Sequence, residues 1–305
     1  MKSKTAVLAL GLMIAGVSAA PLQDPAALIE KLRSKDKDEA DNARADLLQA
    51  GPKAIQPLRD AEAKAADAES RKLLGGLANR LETRQAAAGI AKAWGDRWYA
   101  TYIGGLHVGW AHLKTEEKDG NLILTDELHF QFGKDTAAHL NVNLTCARDE
   151  YLGFSEVSLK MESPDRNLSV NGRVKEGRLV VKTDDKTSAV KLDGRTVPDT
   201  AFLRLVTVLP RTGELDLTIL QLIGGGKPRF RENSMAKFDK EESIEFEGKK
   251  VKVRRYLLTD GEADPRFYFV DAEGRLLRIQ FRSDEKDVEI SLSDEKRARD
   301  IDTKD

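Results

Sequence analysis

One stretch constrains this chain more than any other: Trp98-Tyr-Ala-Thr-Tyr-Ile-Gly104-Gly105-Leu-His-Val-Gly-Trp110-Ala-His112. Two runs rich in aromatic and β-branched residues flank a glycine pair, and two glycines supply the positive φ angles that a two-residue hairpin turn requires. Asp119-Gly120 offers a second turn of the same kind. Ahead of this hairpin the apolar residues recur with the period of a helix; beyond it they recur at every second position. The change of period predicts an α+β chain, helical first and antiparallel afterwards.

At the start, Lys2 and Lys4 precede an uncharged run from Thr5 to Val17 and then Ser18-Ala19-Ala20. A charged start, an apolar run and small residues make a secretory signal peptide. Residues 1–19 are therefore expected to be removed and the protein exported, to the periplasm or outside the cell. No cysteine stands near the cleavage site to carry a lipid. No later transmembrane segment is expected either: the longest apolar candidate, residues 215–223, carries Asp216 and Gln221 and falls short of the about 20 residues that a bilayer core requires.

Residues 20–93 read as an α-helical module. Asp24-Pro25 caps a helix carrying Leu28, Ile29 and Leu32, with proline at its first turn. Ala43, Leu47 and Leu48 stripe a second helix that Gly51-Pro52 stops; Ile55 and Leu58 mark a third, and Leu74, Leu77 and Leu81 a fourth. Asp36-Lys-Asp38-Glu-Ala40-Asp41 begins like a calcium loop but puts Asp41 where such a loop turns on glycine. A helix-capping acidic cluster is the better reading.

Residues 94–293 read as an antiparallel β-domain. Leu122, Leu124, Leu128, Phe130 and Phe132 occupy one face of a strand, and Ile123, Thr125, Glu127 and His129 the other; Leu140, Val142, Leu144 and Cys146 alternate with His139, Asn141 and Asn143. One wet face and one dry face are what such a sheet requires. The run Phe202, Leu203, Leu205, Val206, Val208 and Leu209 has no clear period of two and follows Asp199-Thr200, either of which suits a helix cap; it predicts one short covering helix, with a buried strand as the alternative that its β-branched residues allow. The charged tail, residues 294–305, is expected to fray.

Lysine plus arginine (50) and aspartate plus glutamate (51) cancel, so no overall field draws the chain to nucleic acid, which is not an expected partner. A single cysteine, Cys146, excludes an intramolecular disulfide, and its place in an apolar series makes it a small buried hydrophobe.

Two resemblances add to this reading. The phrase Ala43-Arg-Ala-Asp-Leu47-Leu48-Gln-Ala-Gly51-Pro52-Lys-Ala54-Ile55-Gln-Pro57-Leu58 resembles a HEAT-type helical repeat, which implies docking on a neighbour, a plain four-helix cap without binding function being the alternative. The string Trp98-Tyr-x-x-Tyr-Ile-Gly-Gly-x-x-Val-Gly109-Trp-x-His112, with Tyr151-Leu-Gly153-Phe and Arg266-Phe-Tyr-Phe-Val-Asp271-Ala-Glu-Gly274, resembles a group of exported bacterial β-proteins similar in layout to the lipoprotein-carrier half-barrels. That resemblance implies a curved antiparallel sheet or half-barrel whose apolar concave side is partly covered by a helix, and a ligand that is apolar or peptide-like.

Catalytic signatures are missing from the sequence. His107, His112, His129 and His139 lie close together, but strict alternation sets His107 and His112 on opposite faces of one strand, so the four do not converge on a metal without a bulge. Gly153-Phe-Ser155-Glu-Val157 lacks the second glycine of a nucleophile elbow. Gly224-Gly-Gly226-Lys227 has Gln221 where a phosphate loop begins and Pro228 where it binds magnesium. Trp94, Trp98 and Trp110 gather at the junction, as interdomain core does. The expectation is an exported, non-catalytic binding protein without metal or cofactor. Its concave β-face would hold a lipid or apolar peptide segment lined by Trp110, Leu128, Phe130, Phe202 and Leu205 and gated by residues 200–209. The alternatives are an envelope scaffold that uses its helical face to hold a protein partner, and a hydrolase.

Overall fold

A computed structural model describes residues 24–133, 136–183, 186–212, 214–221, 228–260 and 264–301. The expected signal peptide and the Gly224–Lys227 loop lie outside them. The chain divides into two compact units between Ala50 and Gly51.

The first unit holds helices α1 (Pro25–Lys31) and α2 (Lys37–Ala50). Asp24 caps α1 by accepting the Ala26 N–H at 3.1 Å. Asp36 does the same for α2, taking the Asp38 and Glu39 N–H groups at 2.9 and 3.3 Å. The acidic cluster is thus a cap for backbone donors that have no partner inside the helix.

In the second unit a 3-10 turn over Gly51–Ala54 leads into α3 (Ile55–Lys64), α4 (Ala68–Ala87) and α5 (Ile90–Trp94). Arg59 ties α3 to α4, donating to Glu82 at 2.9 and 2.7 Å and to Asn79 at 2.7 Å. The first eight strands follow: β1 (Asp96–Ile103), β2 (Leu106–Lys118), β3 (Asn121–Gln131), β4 (Ala137–Cys146), β5 (Phe154–Ser163), β6 (Arg166–Lys175), β7 (Arg178–Thr183) and β8 (Thr187–Lys191). A short β9 (Thr196–Pro198) precedes helix α6 (Asp199–Leu205), whose last turn tightens to 3-10 geometry over Val206–Val208. Then come β10 (Glu214–Gln221), β11 (Arg229–Phe246), β12 (Lys249–Thr259), β13 (Arg266–Val270), β14 (Leu276–Ser283), β15 (Lys286–Ser293) and a last helix α7 (Glu295–Arg299).

All fifteen strands form one open, curved sheet in the order β8 through β1, then β15 through β9. Every pairing is antiparallel except β9 with β10. The hairpin of β1 and β2 turns on Gly104 and Gly105, both at positive φ. Its first strand sits at the middle of the sheet, with seven strands to either side.

Two expectations are corrected. Tyr102 pairs with His107 while Thr101 pairs with Gly109, so Val108 is an extra residue in β2. This bulge shifts His107 onto the face of Trp110 and His112, where alternation had set it opposite. The tail does not fray throughout: Asp294 accepts the Arg297 N–H at 2.9 Å to start α7, and Ala298 is buried beneath it.

The inner face of the sheet carries the core. Leu113, Leu124, Val142, Leu159, Leu217, Tyr256 and Leu276 are buried there with Phe202 and Leu205 of α6 and with Ile90 and Trp94 of α5. Cys146 lies in the same cluster, and burial pushes its thiol up to about 12, so it is a packing residue.

Candidate functional site

The site is built around α6. The short strand β9 is stapled to β10 by Asp193, whose carboxylate accepts the Thr196 and Thr218 hydroxyls at 2.7 and 2.9 Å. Pro198 then ends the strand, and α6 begins at Asp199 with no side-chain cap; neither Asp199 nor Thr200 caps it as expected. Asp199 instead accepts the Thr200 N–H at 2.9 Å, one residue into the helix.

Arg204, fully buried, fixes α6 to the inner face. All five of its N–H donors are used: two on the Asp126 carboxylate at 2.5 and 3.0 Å, one each on the Thr115 hydroxyl, the Lys114 carbonyl and the Thr200 carbonyl at 3.1, 3.0 and 3.2 Å. Its guanidinium lies 5.0 Å from the centre of the Trp94 ring. Burial pushes the Asp126 carboxyl up, and the arginine opposes that shift. At the far end of the segment the Tyr256 hydroxyl donates to the Leu209 carbonyl at 2.8 Å. Residues 200–209 are held by the hydrogen bonds of Arg204 and Leu209 and buried along most of their length, so they cover this part of the inner face.

Between this cover and the sheet lies a cavity of about 160 Å³. Its walls are mainly apolar: Ala111 and Leu128 from the sheet, Phe202 from the helix, Tyr268 and Ile279 from the far wing. Polar groups also face it: Asp126, paired with Arg204, and with it Thr200, Asp199 and Arg266. Thr200 has a hydroxyl that is buried and finds no hydrogen-bond partner among the described residues. The Asp199 carboxyl is pushed by burial up to about 6. Arg266 lies over the Phe281 ring at 5.2 Å. A wider hollow of about 700 Å³, lined by Tyr102, Phe267 and Glu289 among others, shares Phe281 with the cavity.

The five residues expected to line a ligand divide. Leu128 and Phe202 line the cavity together. Leu205 is buried in the core on the same side. Phe130 lies two residues beyond Leu128 on β3 and stacks on Phe132, ring centres 6.5 Å apart. Trp110 does not join them: it pairs with His129 in the sheet, whereas Leu128 pairs with Ala111, so tryptophan and leucine project from opposite faces.

On that outer face Trp110 belongs to an aromatic cluster. Trp98 stacks on His112 at 4.0 Å, and Trp110 lies 5.7 Å from His129 and 6.0 Å from His139. Arg299 of α7 covers both tryptophans at 4.7 and 4.9 Å. The two ring nitrogens of His107 lie 2.8 Å from the Asp300 carbonyl and 3.0 Å from that of Gly109, tying the end of α7 to β2. Burial, His139 and Arg299 all hold the His129 imidazole below its ordinary value. Although the bulge brings all four histidines to one face, no group of three or more His, Cys, Asp or Glu among the described residues is placed to hold a metal ion.

The two charges that organise the inner face were missed in the sequence, yet both carry a signal. Asp126 occupies an inward position in the series Leu122, Leu124, Asp126, Leu128, and Arg204 interrupts the apolar run from Phe202 to Leu209. A charge at a core position requires a buried partner of opposite sign, and these two are each other's.

No family model and no curated protein matches this chain. Among solved structures it is similar to a β-barrel-like protein of a domain family of unknown function from Brucella abortus, at 11% identity and a TM-score of 0.45 over 65% of this chain and 96% of that one. It is also similar to the hypothetical lipoprotein YmcC from Escherichia coli, at 12% identity and a TM-score of 0.28 over 65% and 86% of the two chains. A third is LprF from Mycobacterium bovis, at 9% identity and a TM-score of 0.23 over 70% and 92%. At these values nothing of what those proteins do is carried over to this one. No helix among the described residues is long and apolar enough to cross a membrane.

Proposed function

We propose that this is an exported, non-catalytic binding protein that holds an apolar, lipid-like group between α6 and the inner face of its sheet. The observation that carries the reading is the cavity of about 160 Å³ walled by Leu128, Phe202, Tyr268 and Ile279. A close-packed interior leaves few voids larger than a water molecule, and an apolar cavity of about 150 Å³ suffices for a benzene-sized guest. The size sets the ligand class: the end of an acyl or prenyl chain, or one aromatic ring, rather than a whole lipid. Because Arg204 and Tyr256 hold the cover down, the guest enters a preformed space, and catalysis has no assigned part in this reading.

Organic extraction of the protein purified from its exported fraction, followed by mass spectrometry of the extract, tests it. A small apolar molecule in molar proportion to the polypeptide is expected. A bare polypeptide that also fails to take up toluene would overturn the reading.

A further inference from the structure

We propose that the guest carries an uncharged, hydroxyl-bearing head, seated on Thr200 and Asp199 at the wall of the cavity. This rests on the binding reading above and deepens it.

Thr200 is 7% exposed, its Oγ1 atom is buried with no partner among the described residues, and the residue lines the cavity. Buried hydroxyls are satisfied in folded proteins, so a group entering this space meets a donor and acceptor without a partner. Beside it Asp199 accepts its neighbour's N–H at 2.9 Å and is held by no ion pair among the described residues. Arg266 and Asp126 complete the charged part of the wall.

The charges select among heads. Asp126 of the lining is matched by Arg204, which stands behind the wall, and Asp199 faces the field of Arg266, so the four charges in and directly behind the lining sum to zero. A carboxylate or an ammonium head would meet a like charge as well as an opposite one, since Asp199 and Arg266 share the wall, and each would give up its hydration to enter a poorly solvated space; that desolvation makes both unfavourable there. A hydroxyl escapes both penalties, donating to the Asp199 carboxylate or Thr200 Oγ1 and accepting from the Thr200 O–H. A plain hydrocarbon would fill the apolar part and leave the threonine unsatisfied.

The test is a titration of the purified protein, with isoleucine and leucine methyl groups labelled for NMR, by 1-hexanol, hexane and hexanoate at pH 7.5, read at Leu128, Ile219 and Ile279. 1-Hexanol is expected to bind about tenfold more tightly than either of the others, a difference of about 1.4 kcal/mol. Thr200→Val, which keeps the shape and removes the hydroxyl, is expected to bring the hexanol-to-hexane ratio to about one. Equal affinities for hexanol and hexane in the native protein, tighter binding of hexanoate, or an unchanged ratio in Thr200→Val would overturn the head subsite while leaving the apolar cavity standing. No methyl shift with any of the three would overturn the binding reading and the subsite together.

Discussion

The Arg204 guanidinium lies against the Asp126 carboxylate with two hydrogen bonds of 2.5 and 3.0 Å, both side chains essentially inaccessible to solvent. One partner comes from helix α6 and the other from strand β3, so this pair decides where the cover sits on the sheet. Removing one member of a buried pair strands the other as an uncompensated charge, at a cost of about 3–5 kcal/mol. Arg204→Leu is expected to destabilise the protein by that amount in chemical denaturation. The double variant Arg204→Leu with Asp126→Leu should recover most of the loss, and equal destabilisation of single and double variants would show that the pair is not coupled.

The close approach of β2 and β3 gives a second expectation. A Cβ at Gly109 would stand 2.2 Å from the His129 carbonyl oxygen and 3.0 Å from the Phe130 ring. Backbone cannot yield as a flexible side chain does, so Gly109→Ala should cost about 2–3 kcal/mol by calorimetry. A melting temperature equal to that of the native protein would show that the strands separate freely here.

Asp199 gives a pH dependence of definite sign. Burial raises its carboxyl from 3.8 to about 6, with the charges of Arg266 and Arg231 opposing the shift and that of Asp126 adding to it. Between those values the folded protein holds a proton that the unfolded chain has released, so this residue's contribution to stability declines as pH rises through that window and stays low above it. Asp199→Asn retains the acceptor for the Thr200 N–H and removes the charge. It should be more stable than the native protein at pH 8, by about 1 kcal/mol given the partial exposure of the site, and no more stable at pH 3.5. A gain of the same size at both pH values would refute the ionisation argument.

Helix α7 is held onto the outer face by Arg299 above Trp98 and Trp110. Cation–π contacts at such sites contribute about 0.5–1 kcal/mol. Arg299→Ala should therefore lower stability by about 1 kcal/mol and move tryptophan emission to longer wavelength as the rings meet water. Unchanged emission would show that the rings do not depend on α7 for their cover.

How much of this was legible before the structure depends on the physics at each residue. The Gly104-Gly105 turn and the alternation of Leu122, Leu124 and Leu128 were readable because turn geometry and the two faces of a strand are local properties. The covering helix at Asp199–Leu205 was readable because its apolar run breaks that alternation. The bulge at Val108 was not, since an extra residue in one strand shows only against its partner, and with it went the side on which His107 falls. Trp110 was assigned to the wrong face for a related reason: apolar character says that a residue is covered, and on this sheet the outer face has its own cover in α7. That helix in turn was hidden by the charge of the tail, whose Arg299 packs through its cation rather than through an apolar side chain. The cavity depends on Thr200, Asp199 and Arg266 meeting around one space, a convergence from α6 and β13 that no local pattern carries.

Whether an apolar guest occupies a preformed space is decided by titrating toluene into the native protein and into Ala111→Leu while following the Ile279 methyl resonance. Ala111 and Ile279 both line the cavity, and a leucine in place of the alanine fills it; cavity-filling changes commonly leave a fold as stable or stabilise it by about 0.5–2 kcal/mol. A guest site beneath α6 requires a saturable shift in the native protein and its loss, with no fall in melting temperature, in Ala111→Leu. Absence of a shift in the native protein, or the same saturable shift in both, would contradict it.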